Sequence, residues 1–136
     1  MVENARRHGA TEVERAALLR LYAVLPSAQP GTIEHDVWQS IFALESALKA
    51  ERGKTILLSR TRQKIGRDGE RGTVADLVTG KASSGFGMLV DRHMGKLTFE
   101  AVALRHPELF GPDVLTAARC RLSAAGLDER GRARDG

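Results

Sequence analysis

The apolar side chains of this chain recur mostly at the spacing of a helix. Between Asp36 and Arg52 they fall three or four positions apart, which places them on one helical face. The recurring residues are Val37, Trp38, Ile41, Leu44 and Leu48. Gly53 follows where the glycine that ends a helix belongs. The pattern therefore predicts a helix from about Asp36 to Arg52, with Trp38, Ile41, Leu44 and Leu48 buried against Leu115 and Leu122 of the last helix.

Two further helices are predicted on either side of this one. Thr11 and Glu14 have the spacing of a capping box, which predicts a helix that runs toward Leu25. The apolar face of that helix would hold Leu18, Leu21, Tyr22 and Leu25. After Gly53, apolar residues at helical spacing predict a helix over about 55–65, followed by a loop over 66–72.

In the second half of the chain, hydroxyl residues and prolines mark the ends of short helices. The predicted helices there cover about 73–79, 85–94, 98–106 and 112–126. Ser83 or Ser84 caps the second of them and Thr98 caps the third. Pro107 disfavours the helical conformation in the residue before it, whereas Pro112 suits the first residue of a helix.

The fold class follows from these elements. No stretch alternates between apolar and polar residues with a period of two, so no sheet is predicted. We expect an all-α protein, a compact bundle of six or seven mostly short helices that forms a single domain over residues 11–126. The polar ends, residues 1–10 and 127–136, are expected to be flexible tails.

Composition is that of an ordinary globular protein, with 42% apolar and 28% charged residues. The single cysteine excludes an intrachain disulfide and leaves no metal-ligand cluster, and no cofactor is expected. The most apolar stretch, residues 16–25, is short and contains Arg20, so we expect no membrane span. No apolar segment of a secretory signal follows the first residues, and the expected location is the cytoplasm.

Positive charge is concentrated in one segment of the chain. Seven of the 21 basic residues lie between Arg52 and Arg71, against only Asp68 and Glu70, so this segment is +5 while the whole chain is +4. Such a cluster is typical of a surface that meets phosphates or another polyanion, and equally of a solvated helix face. With Lys81, the predicted nucleic-acid contacts are Arg52, Lys54, Arg60, Arg62, Lys64, Arg67, Arg71 and Lys81.

More specific motifs are not supported. Gly80-Lys81-Ala82-Ser83 lacks the hydroxyl that a phosphate loop needs after its lysine, and Ala75 stands where that motif has its first glycine. Residues 73–92 have the outline of a helix-turn-helix. The outward positions of its second helix include Gly87 and Asp91, which are poorly suited to a DNA groove.

A few single residues have predicted roles. Glu45 falls on the apolar side of its helix, which predicts a buried ion pair with Arg60 or Arg62, or with Arg20. The alternative, a catalytic acid, lacks a second carboxylate or nucleophile placed near it. His93 is expected in the core, His106 at exposed helix-end carbonyls, and Cys120 at the surface.

Two functions from different classes follow from these features. The first is a small helical protein that binds nucleic acid through phosphates, with low sequence specificity. The alternative is a helical interaction module that binds an acidic or apolar protein partner. We do not expect an enzyme, because no catalytic constellation is present in the sequence.

Overall fold

The computed structural model describes residues 12–21 and 26–134, and these residues confirm the all-α prediction. The helices are α1 (residues 12–21), α2 (Ile33–Arg52), α3 (Ser59–Thr79), α4 (Ser84–Asp91), α5 (Phe99–Arg105) and α6 (Pro112–Ala124). Short 3-10 turns lie at Gly95–Leu97 and Pro107–Leu109. The described ranges contain no strand, only an isolated bridge between Leu127 and Ala133. The predicted tail at 1–10 and the predicted roles of Thr11, Tyr22 and Leu25 lie outside these ranges.

Helix α2 begins earlier than the apolar pattern indicates. The Thr32 side chain accepts a hydrogen bond from the His35 N–H at 3.2 Å and so caps a helix that begins at Ile33, three residues before the predicted start. At the other end Gly53 adopts φ 73° and its N–H donates to Lys49 O at 2.8 Å, as predicted. The apolar stripe gives the face of this helix, whereas the capping hydroxyl gives its first residue.

Helix α3 corrects the prediction of a loop over 66–72. The helical hydrogen bonding continues from Ser59 to Thr79 and is interrupted only at Gly69, with φ 78° and ψ 170°. Lys64 Nζ lies 2.8 Å from Asp76 Oδ2, although the two residues are twelve positions apart. In a straight helix they would be about 18 Å apart along the axis. The two halves of α3 therefore bend sharply toward each other at Gly69.

The predicted caps of the later helices are confirmed. Ser83 accepts from the Phe86 N–H, Thr98 accepts from the Ala101 N–H, and Pro112 is the first residue of α6. The prediction for His93 is wrong, because α4 ends before it. His93 is exposed and adopts the left-handed backbone conformation, with φ 59°. It ends α4 there, and the Met94 N–H donates to Leu89 O across the helix end.

The core consists of two adjoining clusters. The larger joins α2, α3, α5 and α6 through Val37, Ile41, Val74, Val78, Val102 and Ala118. The smaller cluster includes Leu44, Leu89, Met94 and Leu97. Leu18 and Leu19 of α1 pack on it. Ile41 and Leu44 are buried as predicted, while Trp38 and Leu48 are half-buried. Helix α6 packs mainly on α3 and α5, so the predicted packing of α2 on Leu115 and Leu122 is not the main contact.

The chain after α6 differs from the flexible tail predicted from Leu127 onward. Residues 127–134 fold back onto the domain, with Leu127 buried and the Arg134 N–H donating to Gly126 O at 3.0 Å. The Asp128 carboxylate accepts the N–H groups of Arg130 and Arg132, both at 2.9 Å. The Asp128 turn and the close approach of Gly131 to Gly95 hold this segment in place. Its polar composition therefore does not predict its structure.

Candidate nucleic-acid interface

The predicted basic residues separate into two groups in the structure. Six of them are exposed and form no ion pair with any described part of the chain: Arg52, Lys54, Arg60, Arg67, Arg71 and Lys81. The other two, Arg62 and Lys64, are partly buried and paired with carboxylates. Within residues 12–21 and 26–134, an anionic ligand would therefore displace no carboxylate from these six predicted cations.

Arg62 forms the ion pair predicted for Glu45. Its Nε and Nη2 atoms donate to the two carboxylate oxygens at 2.7 and 2.6 Å, and the Leu58 N–H donates to the same carboxylate at 2.8 Å. The Glu45 side chain is only 10% exposed, so a single unpaired charge there would be costly. The hydrogen bond to Glu45 raises the pKa of Arg62. Arg62 is a structural residue, and we remove it from the set of expected phosphate contacts.

Trp38 extends this junction to the second half of α3. The guanidinium carbon of Arg62 lies 5.2 Å from the Trp38 ring centroid and 6.0 Å from that of Phe42. The indole Nε1–H donates to Glu70 Oε2 at 3.2 Å, on the far side of the Gly69 bend. Helix α2 therefore holds both halves of α3. Its Glu45 binds Arg62 of the first half, and its Trp38 binds Glu70 of the second half.

Lys64 is paired with two carboxylates, one on its own half of α3 and one across the bend. Its ammonium lies 2.8 Å from Asp76 Oδ2 and 3.1 Å from Asp68 Oδ2. These hydrogen bonds, chiefly the one to Asp76, raise the pKa of Lys64. The contact with Asp68 has the i, i+4 spacing that the sequence displays. The contact with Asp76 needs the bend, which no pattern in the sequence revealed.

Two of the free cations on α3, Arg60 and Arg67, share one side of the helix. Arg60 and Arg67 are seven residues apart, which places them two turns apart and about 10 Å along the axis on nearly the same face. Ile65, the one buried residue between them, points to the opposite side. Arg71 follows the Gly69 bend, while Arg52 and Lys54 lie where α2 ends and Lys81 where α3 ends. The exposed positive charge thus follows α3 from end to end.

The helix-turn-helix outline over residues 73–92 is altered by the structure. Its first helix is the second half of the bent α3, and Gly80–Ser83 connects it to α4. Arg121 closes the end of α3 by donating to the carbonyls of Leu77 and Gly80 and to Glu100 Oε2, the last at 2.6 Å. Glu100 is 4% exposed. Sequence reasoning missed this buried pair, because Glu100 lies within a helix too short to show an apolar stripe.

A second polar cluster joins α2 to the end of α5. His106 Nε2 lies 2.7 Å from Asp36 Oδ2, and Arg105 Nε lies 3.4 Å from the same oxygen. The expected role of His106 at helix-end carbonyls is therefore replaced by pairing with a carboxylate of another helix. Cys120 is exposed, as predicted. In the described ranges no three His, Cys, Asp or Glu side chains are grouped to hold a metal ion.

Comparisons of the chain with protein-family models, with curated proteins and with solved structures found no match. None of the helices in residues 12–21 and 26–134 is long and apolar enough to cross a membrane.

Proposed function

We propose that this protein binds nucleic acid by contacting phosphates with the free cations along α3. The observation that supports this most is the division of the basic residues. Arg62 and Lys64 are paired with Glu45, Asp68 and Asp76, whereas Arg60, Arg67 and Arg71 are exposed and have no partner among the described residues. Arg60 and Arg67, two turns apart on one half of α3, repel each other, and a polyanion relieves that repulsion.

Binding of this kind follows from charge more than from shape. Each phosphate neutralised by a lysine or arginine releases condensed counterions, so affinity falls as salt increases. Contacts to phosphates position a protein on nucleic acid without reading its sequence. We therefore expect a modest affinity that varies little among sequences and depends strongly on ionic strength.

The test is a titration of labelled 20-base-pair DNA at about 50 and 200 mM salt, the range in which phosphate contacts lose most affinity. The variant replaces Arg60, Arg67 and Arg71 with Ala. A matched control replaces Arg20, Arg130 and Arg132 with Ala. These arginines are also exposed, so the control removes the same amount of charge elsewhere on the protein. The first variant should lose affinity and salt dependence, and the control should retain both. Absence of binding by the unaltered protein at the lower salt concentration contradicts the proposal.

One observation supports an acidic protein partner as a second candidate function. Leu57 is 54% exposed and lies between Lys54 and Arg60 in the loop that leads into α3. An apolar side chain beside cations suits an acidic peptide with an apolar residue better than it suits a phosphate backbone. Leu57→Ser should weaken binding to such a peptide and leave nucleic-acid affinity unchanged.

A further inference from the structure

The first half of α3, residues 59–68, lies on the surface with most of its circumference in solvent. Its exposed residues are Ser59, Arg60, Gln63, Gly66, Arg67 and Asp68. At 100° per residue these positions span an arc of about 200° around the helix axis. A surface helix with an apolar stripe about 100° wide can expose up to about 260° of its circumference, so this segment has the exposure of an ordinary surface helix. Here only Ile65 is buried.

Most of this exposed arc contains no acidic residue. Gly66, Ser59, Gln63, Arg67 and Arg60 follow one another around about 120° of the helix, with Gln63 near the centre. Asp68 lies beyond the edge of this arc and is held by Lys64. Arginine, glutamine and serine are side chains that hydrogen-bond to base edges in the major groove. The arc therefore presents hydrogen-bonding side chains and positive charge together.

The dimensions of this segment fit a duplex groove. A helix with its side chains is about 10–12 Å across, and the major groove of B-form DNA is about 12 Å wide. The major groove of A-form RNA is too deep and narrow for side chains to read. Arg62, about 100° around the axis from Gln63, and the Leu58 N–H hold the segment on Glu45 of α2.

Single-stranded nucleic acid fits this surface less well. Proteins that bind single strands stack successive bases on exposed aromatic rings. Of the described residues, the large apolar side chains that are exposed are Val13, Leu21 and Leu57, and none is aromatic. Trp38 and Phe42 lie near α3, but the Arg62 guanidinium sits over both rings.

We infer that residues 59–68 of α3 insert into the major groove of B-form DNA, with Gln63 toward the base edges and Arg60 and Arg67 on the phosphates of one strand. This inference rests on the proposed function and adds to it a duplex, a groove and a residue that contacts bases. The groove-binding helix would then be α3. The helix-turn-helix outline in the sequence instead pointed to α4.

The test compares a 20-base-pair DNA duplex, an RNA duplex of the same sequence and the single DNA strand, each at two salt concentrations. We expect the DNA duplex to bind at least about tenfold more tightly than the other two, the size of one good base contact. Bound protein should protect guanine N7, which lies in the major groove, from dimethyl sulfate. On a duplex enriched from a randomised pool, Gln63→Ala should lower affinity about tenfold with no change in salt slope. Gln29→Ala, another exposed glutamine, is the matched control and should have no effect.

The outcomes separate the two proposals. Equal binding to all three nucleic acids without protection of guanine N7 overturns the groove inference and leaves phosphate binding intact. Protection confined to adenine N3, in the minor groove, also overturns it, as does full affinity of Gln63→Ala for the enriched duplex. Failure to bind any of the three at the lower salt concentration overturns the proposed function as well.

Discussion

Arg62 and Glu45 meet through both carboxylate oxygens, at 2.7 and 2.6 Å, and this pair joins the first half of α3 to α2. The same carboxylate accepts the Leu58 N–H at the start of α3. One buried acid therefore satisfies an arginine and the backbone that begins the most positively charged helix. Arg60 and Arg67, on the same half of α3, are exposed to solvent.

The first prediction concerns the stability that this pair provides. Glu45→Gln should lower the free energy of unfolding by about 1–3 kcal/mol, because it leaves a partly buried guanidinium without its anion. Arg60→Ala, two residues away on the exposed side of α3, should change it by less than about 0.5 kcal/mol. Urea unfolding monitored by Trp38 fluorescence measures both. Equal changes in the free energy of unfolding for the two substitutions would show that the Glu45–Arg62 pair does not stabilise the fold.

The second prediction concerns the number of phosphates contacted. With six free cations, the slope of log affinity against log salt should be no steeper than about −5 on duplex DNA. Arg67→Ala should reduce the slope by about 1, whereas Arg62→Gln should leave it unchanged because Arg62 is paired with Glu45. Binding isotherms at four or more salt concentrations give these slopes. A steeper slope in the unaltered protein would mean that basic residues outside these six also contact the DNA.

The third prediction compares two glycines of α3 that are three residues apart. Gly69 has φ 78° and ψ 170°, so Gly69→Ala should destabilise the protein by about 1–3 kcal/mol and weaken the Lys64–Asp76 contact. Gly66 is helical and exposed, and a Cβ there meets no atom within 4 Å. Gly66→Ala should therefore stabilise by about 0.5–1 kcal/mol. Thermal unfolding of the two variants side by side measures whether one is less stable and the other more stable than the unaltered protein. A change in the same direction for both would contradict the bend at Gly69.

The fourth prediction concerns the effect of pH on the C-terminal turn. The N–H groups of Arg132 and Arg130 lower the pKa of Asp128 below its ordinary value. The stabilisation of a group with a lowered pKa is present above its unfolded value and is lost as pH falls through its folded value. Residues 127–134 should therefore lose amide protection below about pH 4 while α2 keeps its own. In Asp128→Ala the turn should be unprotected at neutral pH too, and protection that survives in this variant would contradict the role of Asp128.

The sequence by itself determined the features that depend on neighbours along the chain. Ser83, Thr98, Pro112 and Gly53 mark helix ends because a cap needs only residues within one turn of it. The all-α class follows from the spacing of apolar side chains in the same way. Glu45 could be recognised as a buried acid in need of an arginine, since its place on an apolar stripe is also a local property.

Tertiary structure alone decided the partners of charges that lie far apart in the sequence. The choice of Arg62 over Arg60 depends on the angle at which α3 meets α2, and Lys64 reaches Asp76 only because Gly69 bends the helix. The fold of residues 127–134 likewise depends on Gly131 meeting Gly95, where a Cβ on either residue would overlap the other's backbone. Pairing between residues distant in sequence is set by the packing of helices. That packing removes Arg62 and Lys64 from the predicted interface and leaves Arg60 and Arg67 on it.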